Sequence, residues 1–441
     1  MKFHVVTMAL ATVALAACSS SGSGPVPATQ NAVAGLGNQG ATSSNSYTVT
    51  NLGTLGGAVA GANSINNRNW ASGFSALTSS SYIHAALWKN GGSGIDLGTL
   101  GGPNSGVEWP VKNDRGLISG IAETSAAQRL GEIWSCAAAF FPQPPSGHIC
   151  RGFAWSDGKM TKLPTLGGNN GFAAGANERG EIVGWAETRK HDSTCTSPQV
   201  LGFEAVIYEP WDGYRAHELP PMRGDKDGAA TEIDNRDQVV GISGKCDQAV
   251  GRFTAEHAVM WTKHEIINLG SLGGVAWNTP MAMNEKGEVV GFSDLPGDQS
   301  GNPNFHAFLW TKKTGMQDLG TLPGDTFSEA LGINEDGTIV GESFNSSSAR
   351  AFIWQNGTMT DLNTLIGGSS GLYLVFANDI NNDGVIAGGA CVLVSNACGS
   401  SAPAYMATPT GGIGPARHDV AEPALSKSLL GILRSRLMAA P

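Results

Sequence analysis

The sequence predicts an all-β fold, a seven-bladed β-propeller of four-stranded units. Three observations predict it. One pattern of short apolar stretches and turn residues recurs seven times between Tyr47 and about residue 410. Every recurrence carries the turn chemistry of antiparallel hairpins. The series starts one strand short and ends with one to spare, as a ring closed by pairing its ends requires. Glycine, 61 of 441 residues, is roughly twice its usual share and has no collagen period, which fits many tight turns.

The clearest copy reads His306-Ala307-Phe308-Leu309-Trp310, then Gly315-Met316-Gln317-Asp318-Leu319-Gly320-Thr321-Leu322, then Ile333-Asn334-Glu335-Asp336-Gly337-Thr338-Ile339-Val340-Gly341. We label its four strands a to d. Strand a is apolar on both faces, Phe308 and Trp310 on one and Ala307 and Leu309 on the other, so it must be covered on both. Its closing aromatic is Trp88, Trp155, Tyr208, Trp261, Trp310 or Trp354. Six aromatics at one strand position read as core rather than as a sugar-stacking ring. Strand b leads into a Gly-rich turn such as Thr99-Leu100-Gly101-Gly102. A phosphate cradle would need a helix start beside those glycines, and strands flank them instead.

The c–d turn opens with Asn66, Asn113, Asn177, Asp234, Asn284, Asn334 or Asn381, residues that bond nearby backbone. Three places on stand Asn69, Gly116, Gly180, Asp237, Gly287, Gly337 and Gly384, the types that best tolerate positive φ. Asn381-Asn382-Asp383-Gly384 resembles a calcium loop, but other copies put Arg or Lys inside the turn and none has a full acidic ligand set. Strand d ends in Gly73, Gly120, Gly184, Gly241, Gly291, Gly341 and Gly388, and 388 − 73 = 315 residues over six steps gives about 52 per repeat. Glycine inside a strand implies a bulge or close backbone approach, read here as tight packing between neighbouring units.

The first copy lacks strand a and begins at strand b, residues 47–52. After the last copy ends near Ala390, residues 404–407 resemble a lone strand a. Pairing the two closes a propeller. The alternative is an open β-solenoid, whose coils are usually shorter than about 50 residues and whose ends need caps.

The strings His306-Ala307-Phe308 and Asp318-Leu319-Gly320-Thr321-Leu322 resemble the HAF family of extracellular repeats, over about residues 47–410. The resemblance implies an exported repeat protein and names no activity. The fourth copy departs most, with Glu204-Ala205-Val206-Ile207-Tyr208 at its opening and Pro221-Met222-Arg223-Gly224 for the Gly-rich turn.

The chain divides into a lipoprotein signal peptide (1–17), a flexible tether (18–46), the repeat domain (47–411) and a tail with a short amphipathic helix (412–441). Lys2 and His4 precede an apolar run too short to span a membrane, and Leu15-Ala16-Ala17-Cys18 follows. That end resembles the bacterial lipobox, whose cysteine, here Cys18, receives the lipid, with palmitate among its acyl chains. Serine after Cys18 implies, by the same resemblance, sorting to the outer membrane. The Ser-, Gly- and Ala-rich tether cannot bury enough apolar surface to fold. In the tail, Leu425, Leu429, Leu433 and Leu437 recur every four residues beside Lys427, Arg434 and Arg436, a stripe that would dock on the ring or touch a membrane surface.

Six cysteines remain, and an even number in an exported chain favours oxidised pairs. All lie between strand d and the next strand a. Nearness favours Cys136 with Cys150 and Cys391 with Cys398, leaving Cys195 with Cys246; other connectivities stay open. A metal site lacks a CxxC or clustered histidines. His84, His257 and His306 share one repeat position with Arg151, Glu204 and Arg350, a mixture that reads as strand-end bonding. The Arg223-Gly224-Asp225 tripeptide reads as chance.

A net charge of −10 with 15% charged residues excludes the basic footprint of a nucleic-acid binder. No HExxH or readable Cys–His pair marks catalysis, no cofactor motif is present, and carboxylates such as Glu187, Asp225 and Asp298 fall in loops. The expectation is a monomeric, lipid-anchored binding or scaffolding module with a protein or glycan partner. The competing class is a propeller enzyme acting on an envelope or extracellular glycan or lactone. It would need acids and histidines that break the repeat to converge on the central opening.

Overall fold

The computed structural model describes residues 45–78, 82–132, 136, 146–246, 255–297, 304–367, 370–413 and 422–426. Cys18, the tether up to residue 44, Asp298 and Leu429, Leu433 and Leu437 of the tail lie outside them, while the tether's last two residues belong to the first strand. Seven antiparallel sheets form a seven-bladed β-propeller. Blade 1 spans residues 56–96, blade 2 101–162, blade 3 171–219, blade 4 227–270, blade 5 279–318 and blade 6 327–361. Blade 7 takes Leu372–Ile380, Ile386–Val394 and Ala404–Ile413 from the end of the ring and Asn45–Gly53 from its start. The short strand Ala397–Cys398 adds to it.

Closure is therefore by strand pairing, with Tyr47 opposite Pro409, Val49 opposite Ala407 and Asn51 opposite Tyr405. The end strands run slightly further than the sequence suggests, from Asn45 and to Ile413. A second clasp lies beside them, because the N–H groups of Ala60 and Ala402 donate to Ala402 and Ala58 carbonyls at 2.8 Å.

The repeat read from the sequence is out of phase with the blade. Each sheet holds strands c and d of one copy, inside, and strands a and b of the next, outside. The missing strand a and the spare one at the far end follow from that offset.

The glycine closing each strand d is explained within its own blade, which corrects the expectation of packing between units. A Cβ on Gly73, Gly184, Gly291 or Gly388 would stand 1.9–2.0 Å from a carbonyl oxygen of strand c: Gly61, Phe172, Thr279 and Phe376 respectively. The register slips beside these contacts, as between Ala62 and Ser64 or Pro280 and Ala282, so strand c bulges towards strand d. The aromatics of strand a are core, with Trp88 and Tyr208 fully buried and Trp155, Trp261 and Trp310 nearly so. Apolar faces stack blade on blade, one cluster running from Leu87 through Phe153 to Val206, and each large side chain covered this way contributes roughly 1.5–3 kcal/mol.

The c–d turns carry two further sets of bonds. Within each turn the first residue's Oδ1 accepts the N–H groups two and four places on, as Asn334 does from Asp336 (3.1 Å) and Thr338 (3.0 Å). Its Nδ2 donates to the carbonyl of the same residue in the next blade: Asn66 to Asn113, Asn113 to Asn177, Asn177 to Asp234, Asn284 to Asn334, Asn334 to Asn381, and Asn381 back to Asn66. Asp234 has no amide to give, so this belt opens between blades 4 and 5. The second turn residue completes another circle, each backbone N–H donating to the next blade's side-chain oxygen through Asn67, Asp114, Glu178, Asn235, Glu285, Glu335, Asn382 and again Asn67.

Candidate functional site

The d-to-a connections emerge on the face opposite the c–d turns, and three of them are long inserts: 122–150, 187–202 and 243–255. The structure joins Cys136 to Cys150, Cys195 to Cys246 and Cys391 to Cys398, the pairs that nearness favoured. The first bond closes one insert on itself. The second ties the 187–202 insert to the next. Glu132 ties it to the preceding one, its Oε1 accepting the N–H groups of Val200 (3.2 Å) and Leu201 (2.7 Å). Inserts far apart in sequence thus interlock over blades 2 to 4.

Buried carboxylates hold the loops beneath. Glu123 accepts the N–H and Nδ2 of Asn104, at 3.0 and 2.9 Å. Glu187 accepts the N–H groups of Asn169 (2.9 Å) and Asn170 (2.7 Å), Asn170 Nδ2 (2.9 Å) and Gln199 Nε2 (3.1 Å). Glu187, expected in a loop, lies on strand Ile182–His191 and is 1% exposed, because loop amides supply what water would. Burial, and then the charge of Glu132, hold its carboxyl above the usual range.

Blade 4 breaks this scheme. The partner of Asn104 and Asn170 becomes Asp227, and the position of Glu123 and Glu187 becomes Gly244, paired with it across the strands. Asp227 Oδ1 accepts the Phe203 N–H at 2.8 Å, as Asn170 Oδ1 accepts that of Cys150 at 3.1 Å. Its Oδ2 is buried without a hydrogen-bond donor. Beside it stands Glu204, in the repeat position that carries a base in five other blades. Burial and the charges of Glu218 and Asp227 push the Glu204 carboxyl up to about 8.

The histidines at that position serve their own blades. His84 meets Asp96 and His306 meets Asp318, each at 2.9 Å. His257 Nδ1 meets Asp225 Oδ2 at 2.9 Å, and Ser243 Oγ donates to the same oxygen at 2.6 Å. Asp225 is thereby turned inward, so the Arg223-Gly224-Asp225 tripeptide does not present its carboxylate, and Asp225 too is not the free loop acid the sequence suggested.

A second constellation lies on the axis. Lys112 of blade 2 pairs with Asp379 of blade 7 and donates to the Ile380 carbonyl at 3.0 Å. Blade 1 stands between those two, so the contact is made at the centre of the ring. Asp379 Oδ2 also accepts the Ile65 N–H at 2.8 Å. Glu232 of blade 4 is fully buried, bonds the Ile233 N–H at 3.0 Å and feels both Lys112 and Asp379. Burial holds both carboxyls up, and the Lys112 ammonium opposes that. The group is nearly hidden in the sequence. Counting two places back from the turn-opening residue gives Ser64, Val111, Gly175, Glu232, Ala282, Gly332 and Asp379, where two acids stand out among small and apolar residues. The glycines make room, a Cβ on Gly175 meeting Glu232 Oε1 at 2.5 Å and one on Gly332 meeting Asp379 Oδ1 at 2.9 Å.

Of the tail, residues 412 and 413 end the last strand, and residues 422–426 are described without regular secondary structure. Glu422 pairs with Arg350 at 3.1 Å, the Ala424 carbonyl accepts the Cys398 N–H at 3.0 Å, and Leu425 is buried against blades 5 to 7.

No family model matches the chain, and no curated protein does. Among solved structures it is similar to the Pyrococcus horikoshii acylaminoacyl peptidase, at 10% identity and a TM-score of 0.47, over 80% of this chain and 53% of that one. The chain thus spans about half the length of that peptidase. It is also similar to the β-propeller domain of the trilobed protease of Pyrococcus furiosus, at 9% identity and a TM-score of 0.45, over 82% of this chain and 98% of that one.

Proposed function

We propose that the protein is an exported member of the HAF-repeat type, anchored by lipid at Cys18 to the outer membrane, that acts as a binding or scaffolding module of the bacterial envelope. The insert face is its capture surface, for a protein or glycan. The observation that carries this reading is the interlocking of the inserts by Glu132 and the Cys195–Cys246 bond. Loops so fixed lose little entropy on binding, and loops on a rigid scaffold are the usual seat of recognition. Three disulfides fit an oxidising, exported setting. The competing reading, an enzyme acting on a glycan or lactone, finds little support in Lys112, Glu232 and Asp379, because both acids there are fully covered.

The test replaces each insert with residues 345–348, the short connection of blade 6, and compares partner capture from envelope extracts by the parent and the triple replacement. Capture should be lost while the melting transition stays cooperative. Undiminished capture would move the binding surface to the c–d turn face. Cys18→Ser should release the otherwise intact protein from the membrane pellet, and continued pelleting would count against the anchor.

A further inference from the structure

The oddity at the junction of blades 3 and 4 is one of charge. Five blades place a base at the start of strand a: His84, Arg151, His257, His306 and Arg350. Arg350 shows the logic, with its guanidinium on Asp325 at 2.7 Å. Blade 3 places Glu204 there instead, where the neighbours are already acidic. Asp192 of the 187–202 insert has its carboxyl within hydrogen-bonding reach of that of Asp227, and neither carboxylate has a proton to offer the other when ionised. Asp227 is 1% exposed, and its Oδ2 has no donor. In blades 2 and 3 a glutamate occupies the place opposite, whereas here Asp227 is paired with Gly244, which brings no side chain.

Around this point the acids are Asp192, Asp227, Glu204 and Glu218 and the bases Lys190 and Lys226. Four carboxyls face two bases, so the group is short of positive charge. Lys226 stands 3.6 Å from Asp192 and is half exposed, a loose partner. Gly202 lines the same spot, where a Cβ would meet Asp227 Oδ1 at 3.1 Å, Asp192 Cβ at 3.5 Å and Thr188 Oγ1 at 3.8 Å. Every donor within this group is an oxygen, which suits a hard divalent ion and not zinc or copper.

We propose that Asp192 and Asp227 bind a calcium ion, with Glu204 and Glu218 supplying charge around it and water completing the shell. The ion does from outside what the base of the other blades does from within. It ties the 187–202 insert to the inner strand of blade 4, next to the Cys195–Cys246 bond, and so fixes the face on which the inserts meet. The ligands come from two repeat copies, which is why no linear spacing marks the site. Two carboxylates and water make a weak site, with an expected Kd on the order of 10⁻⁴–10⁻³ M, the range of extracellular modules.

The experiment strips the full-length chain with EGTA and follows titration with calcium chloride by calorimetry and by melting temperature. The parent should bind one ion and melt higher at 10 mM calcium, a concentration roughly ten to a hundred times that Kd. Asp227→Asn should weaken binding at least tenfold. Glu204→Arg, which restores the base of the other blades, should melt higher than the parent in EGTA and gain nothing from calcium; it keeps the test open if Asp227→Asn fails to fold. No calcium response in the parent overturns the proposal, and an Asp227→Asn variant that then melts higher than the parent would show that the carboxyl pair holds a shared proton instead. A response of unchanged affinity in both variants overturns it as well.

Discussion

The two faces of the ring are built on opposite plans. On the c–d turn face one residue pattern is used seven times, each turn bonded to the next by the same two atoms, with Asp234 the single exception in the asparagine belt. On the insert face the scheme changes around the ring. Glu123 and Glu187 anchor loops in blades 2 and 3, Asp227 and Gly244 stand there in blade 4, and two disulfides cross-link what the repeat does not. The regular face holds the ring together, and the irregular face carries what distinguishes this chain from its own repeat.

If the regular plan is what closes the ring, breaking closure should cost more than any change to the inserts. Deleting residues 401–410 removes the strand that pairs with Asn45–Gly53 and the Ala402 clasp to blade 1. The melting temperature should fall by on the order of 10 °C or more. A truncated protein that melts like the parent would show that blade packing alone holds the circle.

The insert face should respond less, and unevenly. The Cys195–Cys246 bond spans 51 residues and Cys391–Cys398 only 7. In the chain-entropy account the longer loop confers roughly 2 kcal/mol more. Replacing Cys195 and Cys246 by serine should therefore cost about 2–4 kcal/mol in denaturant unfolding, with faster amide exchange confined to residues 187–202. Equal losses for the two pairs would mean that local packing, not loop length, sets their worth.

The same contrast explains what the sequence disclosed. Asn334 and Gly337 announce a turn because each turn type needs its own residues, and seven copies make the pattern unmistakable. The unpaired strand at Tyr47 betrayed the ring's closure for the same reason. The belt itself was not visible, because the Nδ2 of Asn334 finds its acceptor 47 residues away, at Asn381, once blades sit side by side. The bulge glycines were visible, but whether Gly341 met its own blade or its neighbour required the strand order. Lys112, Glu232 and Asp379 were missed because each comes from a different copy and only the axis brings them together. Asp227 was missed because Asn-to-Asp is a small change in sequence and a large one beside buried carboxylates.

The smallest effect is also the sharpest comparison. Asp234 keeps the turn role of its six asparagine counterparts, its Oδ1 accepting the N–H groups of Arg236 and Gln238 at 2.8 Å. What it lacks is the donation to the next blade, and its Oδ2 instead takes Arg236 Nε at 3.1 Å. Asp234→Asn keeps the first set, restores the missing donor towards the Asn284 carbonyl, and gives up a pair to a half-exposed arginine that is worth little. One net hydrogen bond contributes about 0.5–1.5 kcal/mol. In a ring this large that is a rise of about 1–2 °C. The converse, Asn334→Asp, removes a donor from an intact junction and adds a charge beside Glu335 and Asp336, so it should lower the transition by more. If Asp234→Asn leaves the melting temperature unchanged while Asn334→Asp lowers it, the belt matters at every junction but the one between blades 4 and 5, where the side-chain bonds of Glu285 to Asn235, at 2.7 and 3.1 Å, would already do the work.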